Sequence, residues 1–407
     1  MTHKCIFCGN FINKKSIEHI IPQNIGGKLK SGKLICRNCN SNFGATIDPT
    51  LYDLYKLIET YLCLNKNYNK NVRMNVRFKD EEYILTKTGL MRKHPKVIHR
   101  NGNKVQLEFP SEKSARKYFK KMKKKNPNID VEELVRTAEK VQIPITEPIE
   151  FSLDASVEKT WRECGKIVYE FLFYINRSFC PSSSRFKEFI NGTLSLNDFP
   201  ICQWYEDYNP IERDKDNIYH IIVIEAREEE KFVIGYLEIY SCLKVLIVIE
   251  NNYSGESFSK GYYQDLMEKR NEISIPSSKI PLGKKTILDL IQNCNIESHK
   301  DQYLHSFDFA AIKARLYPMK LELLNIKKEL EASRFENKFE LYKSVLERLI
   351  RELRRLGLDD INIELINHFE FEDEILDEIS NILTRLIKTF QKYEISFDII
   401  DEIVRLL

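Results

Sequence analysis

Apolar and polar positions change their period several times along the 407 residues. Residues 1–50 carry apolar side chains too sparsely for an ordinary core and are rich in turn formers. Over Thr50–Leu64 the apolar positions recur at helical spacing, which predicts a helix packed on what precedes it. Short alternating bursts between Val72 and Leu107 (VRMNVRF, EYILTK, KVQLEF) predict a small antiparallel sheet, with HRNGNK as a turn. Ser111–Lys125 reads as a basic helix with Ser111 as N-cap and Pro127 as its stop. Asp130–Val141 reads as a second helix, followed by the Pro-containing link IPITEPIE.

Ser156–Ser178 has strong helical periodicity, and Phe186–Ile190 reads as a short helix. Asn217–Glu250 predicts two or three strands (NIYHIIVIEA, KFVIGYLEIY, LKVLIVIE), ended by a turn at Asn251–Gly255. Pro276–Gly283 reads as a linker. From Lys285 onward the pattern is helical, with long helices over Leu321–Leu356 and Phe369–Lys392. The expected fold class is α+β: a small N-terminal module, a central mixed α/β region and a helical C-terminal region. The divisions read from these shifts are 1–60, 61–150, 151–283 and 284–407.

Charge sharpens this picture. The net charge of +3 conceals 27 Lys and Arg against 9 Asp and Glu over residues 1–125, and 36 against 51 in the rest. A basic first third on an acidic remainder points to a polyanion contacted at one end. No apolar stretch follows Met1, so the expectation is a cytoplasmic protein without a signal peptide. The longest apolar-rich run, Ser241–Glu250, is broken by Lys244 and too short to span a bilayer, so no membrane partner is expected.

Ten cysteines without an export signal argue against a disulfide framework. Cys63, Cys164, Cys180, Cys202, Cys242 and Cys294 are scattered and read as core or surface thiols. The other four form C-x2-C-x27-C-x2-C: Cys5, Cys8, Cys36 and Cys39. Two such pairs so close together can close a tetrahedral thiolate site for structural Zn2+. A chain start this small needs such a staple to fold. Four thiolates leave the zinc no open position for water.

Between the pairs lies Ser16-Ile17-Glu18-His19-Ile20-Ile21-Pro22-Gln23-Asn24-Ile25-Gly26-Gly27, and Cys39-Asn40 closes the second pair. This string resembles the HNH endonucleases, in the zinc-knuckle branch with a Glu-His-Ile-Ile-Pro motif, over about residues 5–48. The resemblance implies a ββα-metal module in which a hairpin carries Glu18-His19 and a helix starting near Cys36 brings Asn40 opposite. It implies His19 as general base, with Glu18 and Asn40 as ligands of a catalytic Mg2+ or Mn2+. The chemistry suits these roles. Phosphodiester hydrolysis needs a base titrating near neutrality, which histidine supplies. Oxygen donors suit a hard cation and compete poorly with thiolates for zinc. Adjacent strand residues point to opposite faces, so Glu18 and His19 share a site only if the strand ends or bends there.

The basic helix places Lys113, Arg116, Lys117, Lys120, Lys121 and Lys124 along one side, a stripe suited to a phosphate backbone. Trp161–Asn176 resembles the Arg/Lys-containing helix that often follows this kind of module in longer bacterial proteins; core packing of Ile167, Phe171 and Tyr174 alone explains its apolar spacing. The functional expectation is a metal-dependent endonuclease acting on DNA, with RNA as the second substrate class. The alternative is a zinc module that binds nucleic acid without cleaving it. The acidic C-terminal helices are read as a surface for self-assembly or for a regulatory protein or ligand. Resemblance to bacterial nucleases with large appended regions implies an anti-phage setting.

Overall fold

The computed structural model describes residues 3–12, 16–62, 64, 73–86, 89–101, 104–139, 143, 149–152, 156–206, 208–332, 338–356, 372–392 and 398–406. Cys63, the turn residues Gly102 and Asn103, and most of the link over 143–150 lie outside these residues. The fold is mixed α/β with a helical C-terminal region.

The chain opens with a two-residue hairpin, β1 (Glu18–His19) and β2 (Lys30–Ser31), followed by α1 (Arg37–Thr46), α2 (Asp48–Leu54) and α3 (Lys56–Leu62). Strands β3 (Met74–Phe78), β4 (Glu81–Thr86), β5 (Gly89–Arg92), β6 (Lys96–Asn101) and β7 (Lys104–Glu108) precede α4 (Glu112–Lys123) and α5 (Val131–Arg136). Then come α6 (Val157–Ile175), α7 (Arg185–Asn191) and the strands β8 (Ile201–Gln203), β9 (Tyr219–Arg227), β10 (Phe232–Ile239), β11 (Leu243–Glu250), β12 (Phe258–Asp265) and β13 (Asn271–Ser274). Helices α8 (Lys284–Gln292), α9 (Lys300–Ala332), α10 (Lys338–Leu356), α11 (Glu372–Lys392) and α12 (Asp398–Leu406) complete the described chain. No described helix is long and apolar enough to cross a membrane.

Two compact units emerge. One joins residues 1–69 with 153–317; the other joins 70–152 with 318–407. The first unit is built on a six-stranded antiparallel sheet in the order β13-β12-β9-β10-β11-β8. Its central strands are buried on both faces, which explains their nearly unbroken apolar sequence. Helix α6 lies across one face, and Gly235 on β10 permits the approach. A Cβ there would stand 2.3 Å from Val168. On the other face Ile221, Val223, Ile234, Tyr236 and Leu246 pack with Trp204 and with Ile287 of α8.

The sequence pattern misses β8, β12 and β13. Strand β12 follows the turn at Asn251–Gly255 that was read as the end of the strands, and pairs with β9 from Phe258↔Ala226 to Asp265↔Tyr219. Its sequence, FSKGYYQD, is too polar to register as a strand, although Tyr262 and Tyr263 are buried.

In the second unit, β3-β4-β5 form one small sheet and β6-β7 a hairpin. The cap expected at Ser111 is present, with Ser111 Oγ accepting from the Ser114 amide at 3.2 Å, and Asp130 Oδ1 caps the next helix by accepting from the amides of Glu132 and Glu133. Helices α10 and α11 bury Leu346, Leu349, Ile350, Ile379, Ile382 and Leu386, the apolar stripes that give both helices their sequence signal.

Candidate functional site

The first cysteine pair sits in a tight knuckle. The Gly9 amide donates to the Cys5 carbonyl at 3.0 Å, and Gly9 has φ 75°, a conformation that favours glycine. The second pair is set by α1, for which Cys36 is the N-cap residue. All four sulfur atoms lie within 4.8 Å of one another, and none forms a disulfide. Four converging thiols on two knuckles fit a tetrahedral Zn2+. Burial raises the Cys5 and Cys39 thiols, whereas hydrogen bonds from the Cys39 backbone and thiol outweigh burial at Cys36 and bring its thiol down to about 7, making it the readiest thiolate of the four-sulfur set. Phe7, between Cys5 and Cys8, packs on Phe43 of α1 at 4.8 Å and on Tyr169 of α6 at 5.7 Å.

Strand β1 pairs antiparallel with β2 through Glu18↔Ser31 and His19↔Lys30. The two candidate residues face opposite ways, as the strand period requires. Glu18 is buried and His19 half-buried. The imidazole has no hydrogen-bonding partner among the described residues. Burial first, then the charges of Lys30, Lys28 and Lys166, hold its pKa below the usual 6.5. It is therefore neutral at pH 7, the state a base requires.

Asn40 projects from α1 toward the same strand. Its Nδ2 donates to Ser16 Oγ at 3.1 Å and to the Ile17 carbonyl at 3.3 Å. The module thus brings Asn40 to the backbone just before Glu18, while Glu18 itself turns inward. Its Oε1 is 2.8 Å from Lys166 Nζ, which also reaches Asp48 Oδ1 at 2.9 Å. Glu163 and Glu170 share this face of α6 and are fully buried. Burial opposes the charge on Lys166, but the four surrounding carboxylates outweigh it and keep the ammonium protonated. Burial drives the Glu163 and Glu170 carboxyls above the usual range, against the pull of the Lys166 charge.

Lys166, Asp48, Glu163 and Glu170 were not among the sequence candidates. The available signal was three charged residues, Glu163, Lys166 and Glu170, on one stripe of the otherwise apolar second part of α6. Of the residues credited with packing, Ile167 and Phe171 are buried, but Tyr174 is 38% exposed.

The loop after β1 is held by side chains from the sheet. Gln264 of β12 donates to the Gly26 carbonyl at 2.7 Å and accepts from the Lys28 amide at 3.1 Å. Gly27 leaves no room for a side chain: a Cβ would stand 1.9 Å from the Ile21 carbonyl oxygen. His220 Nε2 donates to the Ile25 carbonyl at 2.9 Å, and Nδ1 accepts from the Tyr240 amide at 3.1 Å. Only the neutral ring can make both bonds. Burial pushes the His220 imidazole down to about 4. An unfolded chain takes up that proton near 6.5, so between these values the unfolded form binds more protons, and stability falls as the pH drops. At pH 5 the loss should be about 2 kcal/mol relative to pH 7.5. Thermal melts of wild type and His220→Gln at the two pH values would measure it. Equal pH sensitivity in both proteins would exclude His220 as the cause.

The basic helix α4 belongs to the second unit. Lys113, Lys117, Lys120, Lys121 and Lys124 are exposed and form no ion pair among the described residues. Arg116 differs, being engaged by Glu112 at 2.8 Å and by Glu132. Phe109, Tyr118 and Phe119 pack together beside the lysines.

Residues 5–55 match the family described as HNH endonuclease. That span takes in all four cysteines, β1, β2, α1 and α2. No curated protein and no solved structure matches the chain.

Proposed function

We propose that the chain is a metal-dependent endonuclease that hydrolyses phosphodiester bonds of DNA, with His19 as general base. The observation that carries this reading is a half-buried imidazole, held neutral and without a hydrogen-bonding partner among the described residues, presented by the strand between two halves of a four-cysteine cluster, in the span that matches the HNH endonucleases.

In this reading the imidazole of His19 accepts a proton from the attacking water. Asn40, its amide nitrogen already engaged by Ser16 and Ile17, offers its oxygen as a hard donor, which suits Mg2+ or Mn2+. Glu18, expected as a second ligand, turns inward to Lys166 on the opposite side of β1 from His19 and has no part in the cation site in this reading. When bound, the cation would neutralise charge on the phosphoryl and leaving oxygens. The zinc would hold the fold and take no part in the reaction.

The exposed lysines of α4 are proposed as a contact for the phosphate backbone. Neutralising Lys117, Lys120, Lys121 and Lys124 together should weaken DNA binding at every sequence. It should also flatten the dependence of log K on log salt by up to about 3 to 4. Fluorescence anisotropy between 50 and 200 mM salt would read both, and an unchanged slope would remove α4 from the interface. The helical C-terminal region is proposed to regulate the nuclease, and anti-phage defence is proposed as its setting.

The direct test is cleavage of supercoiled DNA, single-stranded DNA and RNA by purified protein with Mg2+ or Mn2+, against a chelator control. Divalent-cation-dependent nicking of DNA is expected. The engagement of Glu18 by Lys166 favours a second reading, in which the module binds nucleic acid without turnover. Tight binding with no cleavage of any of the three substrates would decide for it.

A further inference from the structure

The hairpin that carries His19 has little strength of its own. Each strand is two residues long, far short of what a hairpin needs to persist unaided. The direction in which it presents its side chains must therefore come from anchors outside the ladder. Asn40 holds the backbone before Glu18, and Ile20 and Ile21 are buried after His19. Gln264 and His220 hold the loop that follows. The anchor within β1 is Glu18 itself, and its partner lies outside the matched span of residues 5–55.

We propose that Lys166 is the positioning residue of the candidate nuclease centre: its buried ammonium ties the inward carboxylate of β1 to the first residue of α2, and thereby fixes the strand that presents His19. The geometry is that of a clamp between two elements. Nζ stands 2.8 Å from Glu18 Oε1 and 2.9 Å from Asp48 Oδ1, with the lysine side chain at 0% exposure and that of Glu18 at 3%. Its ammonium also lies 5.8 Å from the centre of the Phe43 ring of α1. A compact point charge on a flexible stem can serve carboxylates arriving from two directions, which a planar guanidinium does less well. Because successive strand residues alternate, holding Glu18 inward holds His19 on the opposite side. A shift of about 1 Å in a reacting group costs on the order of a hundredfold in rate. Lys166 touches no reacting atom in this scheme; it acts through Glu18.

The inference rests on the nuclease reading for its kinetic consequence but not for its structural one, and the test separates them. Lys166→Met, Lys166→Arg and Asp48→Asn are made in the full chain. Lys166→Met should lower kcat about a hundredfold, with KM for DNA and zinc content unchanged. Amide exchange should quicken at least about tenfold over residues 18–21, with β9, β10 and β11 unaltered. Lys166→Arg, which keeps the charge, should recover part of the rate and the protection. Wild-type kcat in Lys166→Met, or unchanged exchange over residues 18–21, would overturn the proposal. So would an arginine variant that matches the methionine one while exchange quickens throughout the unit, the mark of general packing. If Lys166→Met does not fold, Asp48→Asn decides. A drop in kcat with local loss of protection in β1 supports the clamp, and no change in either refutes it. If the wild type cleaves nothing, the nuclease reading falls, and the exchange measurement alone judges Lys166.

Discussion

Alanine at His19 should lower metal-dependent DNA cleavage by about 10²–10⁴-fold, the range over which a positioned general base acts. The ring forms no hydrogen bond among the described residues, so its removal leaves no buried partner unsatisfied. Stability should change by no more than about 0.5 kcal/mol, and zinc content should be unaltered. The pH profile gives a second check. His19 is held below 6.5 by burial and by Lys30, Lys28 and Lys166, so the acid limb of the rate profile should lie below that value. Neutral pH is then on the plateau, where the base is already unprotonated. An alanine variant that cuts as fast as the wild type, with the same metal requirement, would end the assignment.

Loss of the zinc site should have the second large effect, and a different signature. Serine at Cys36 removes a thiol that sits at the start of α1 and 3.7 Å from the sulfur of Cys8. Apparent zinc-binding energies of about 10–16 kcal/mol rival the stability of an entire domain, about 5–15 kcal/mol. The expected result is a chain with less than one zinc, rapid proteolysis within residues 3–62, and cleavage down at least about a hundredfold. The six-stranded sheet should persist, because its core of Ile221, Val223, Ile234 and Leu246 is independent of the cysteines. Zinc content by mass spectrometry and a proteolytic map would test this. Full protection of the N-terminal residues without metal would show that packing alone folds them.

The two effects differ because the features behind them differ in how they are encoded. The cysteine spacing and the Glu-His pair are local, so they stand out in the sequence. The cap expected at Ser111 is also local and is present; Asp130 and Ser156, read only as the starts of helical segments, cap their helices as well. Strands β9, β10 and β11 were legible as apolar runs, whereas β12 was hidden by Ser259, Lys260 and Gln264. Gln264 is polar because its amide serves the backbone of Gly26 and Lys28, 238 and 236 residues earlier in the chain. Lys166 was hidden for the same reason: a charged residue on a helix reads as a solvated one until its partners arrive from elsewhere. Nor does any local pattern announce that residues 1–69 and 153–317 build one unit. That association depends on ring contacts and polar groups paired across long separations, which composition and periodicity do not record.

Those separations have a consequence during synthesis. The bonds that seat the loop after β1 and the clamp on α2 join residues 118 to 238 positions apart. A ribosome adding about 5–20 residues per second leaves the first segment waiting roughly ten to fifty seconds for them. Through that interval the nascent chain has its cysteines but neither Lys166 nor the strands that brace it. A nuclease assembled in this order would cut poorly until its scaffold had left the exit tunnel.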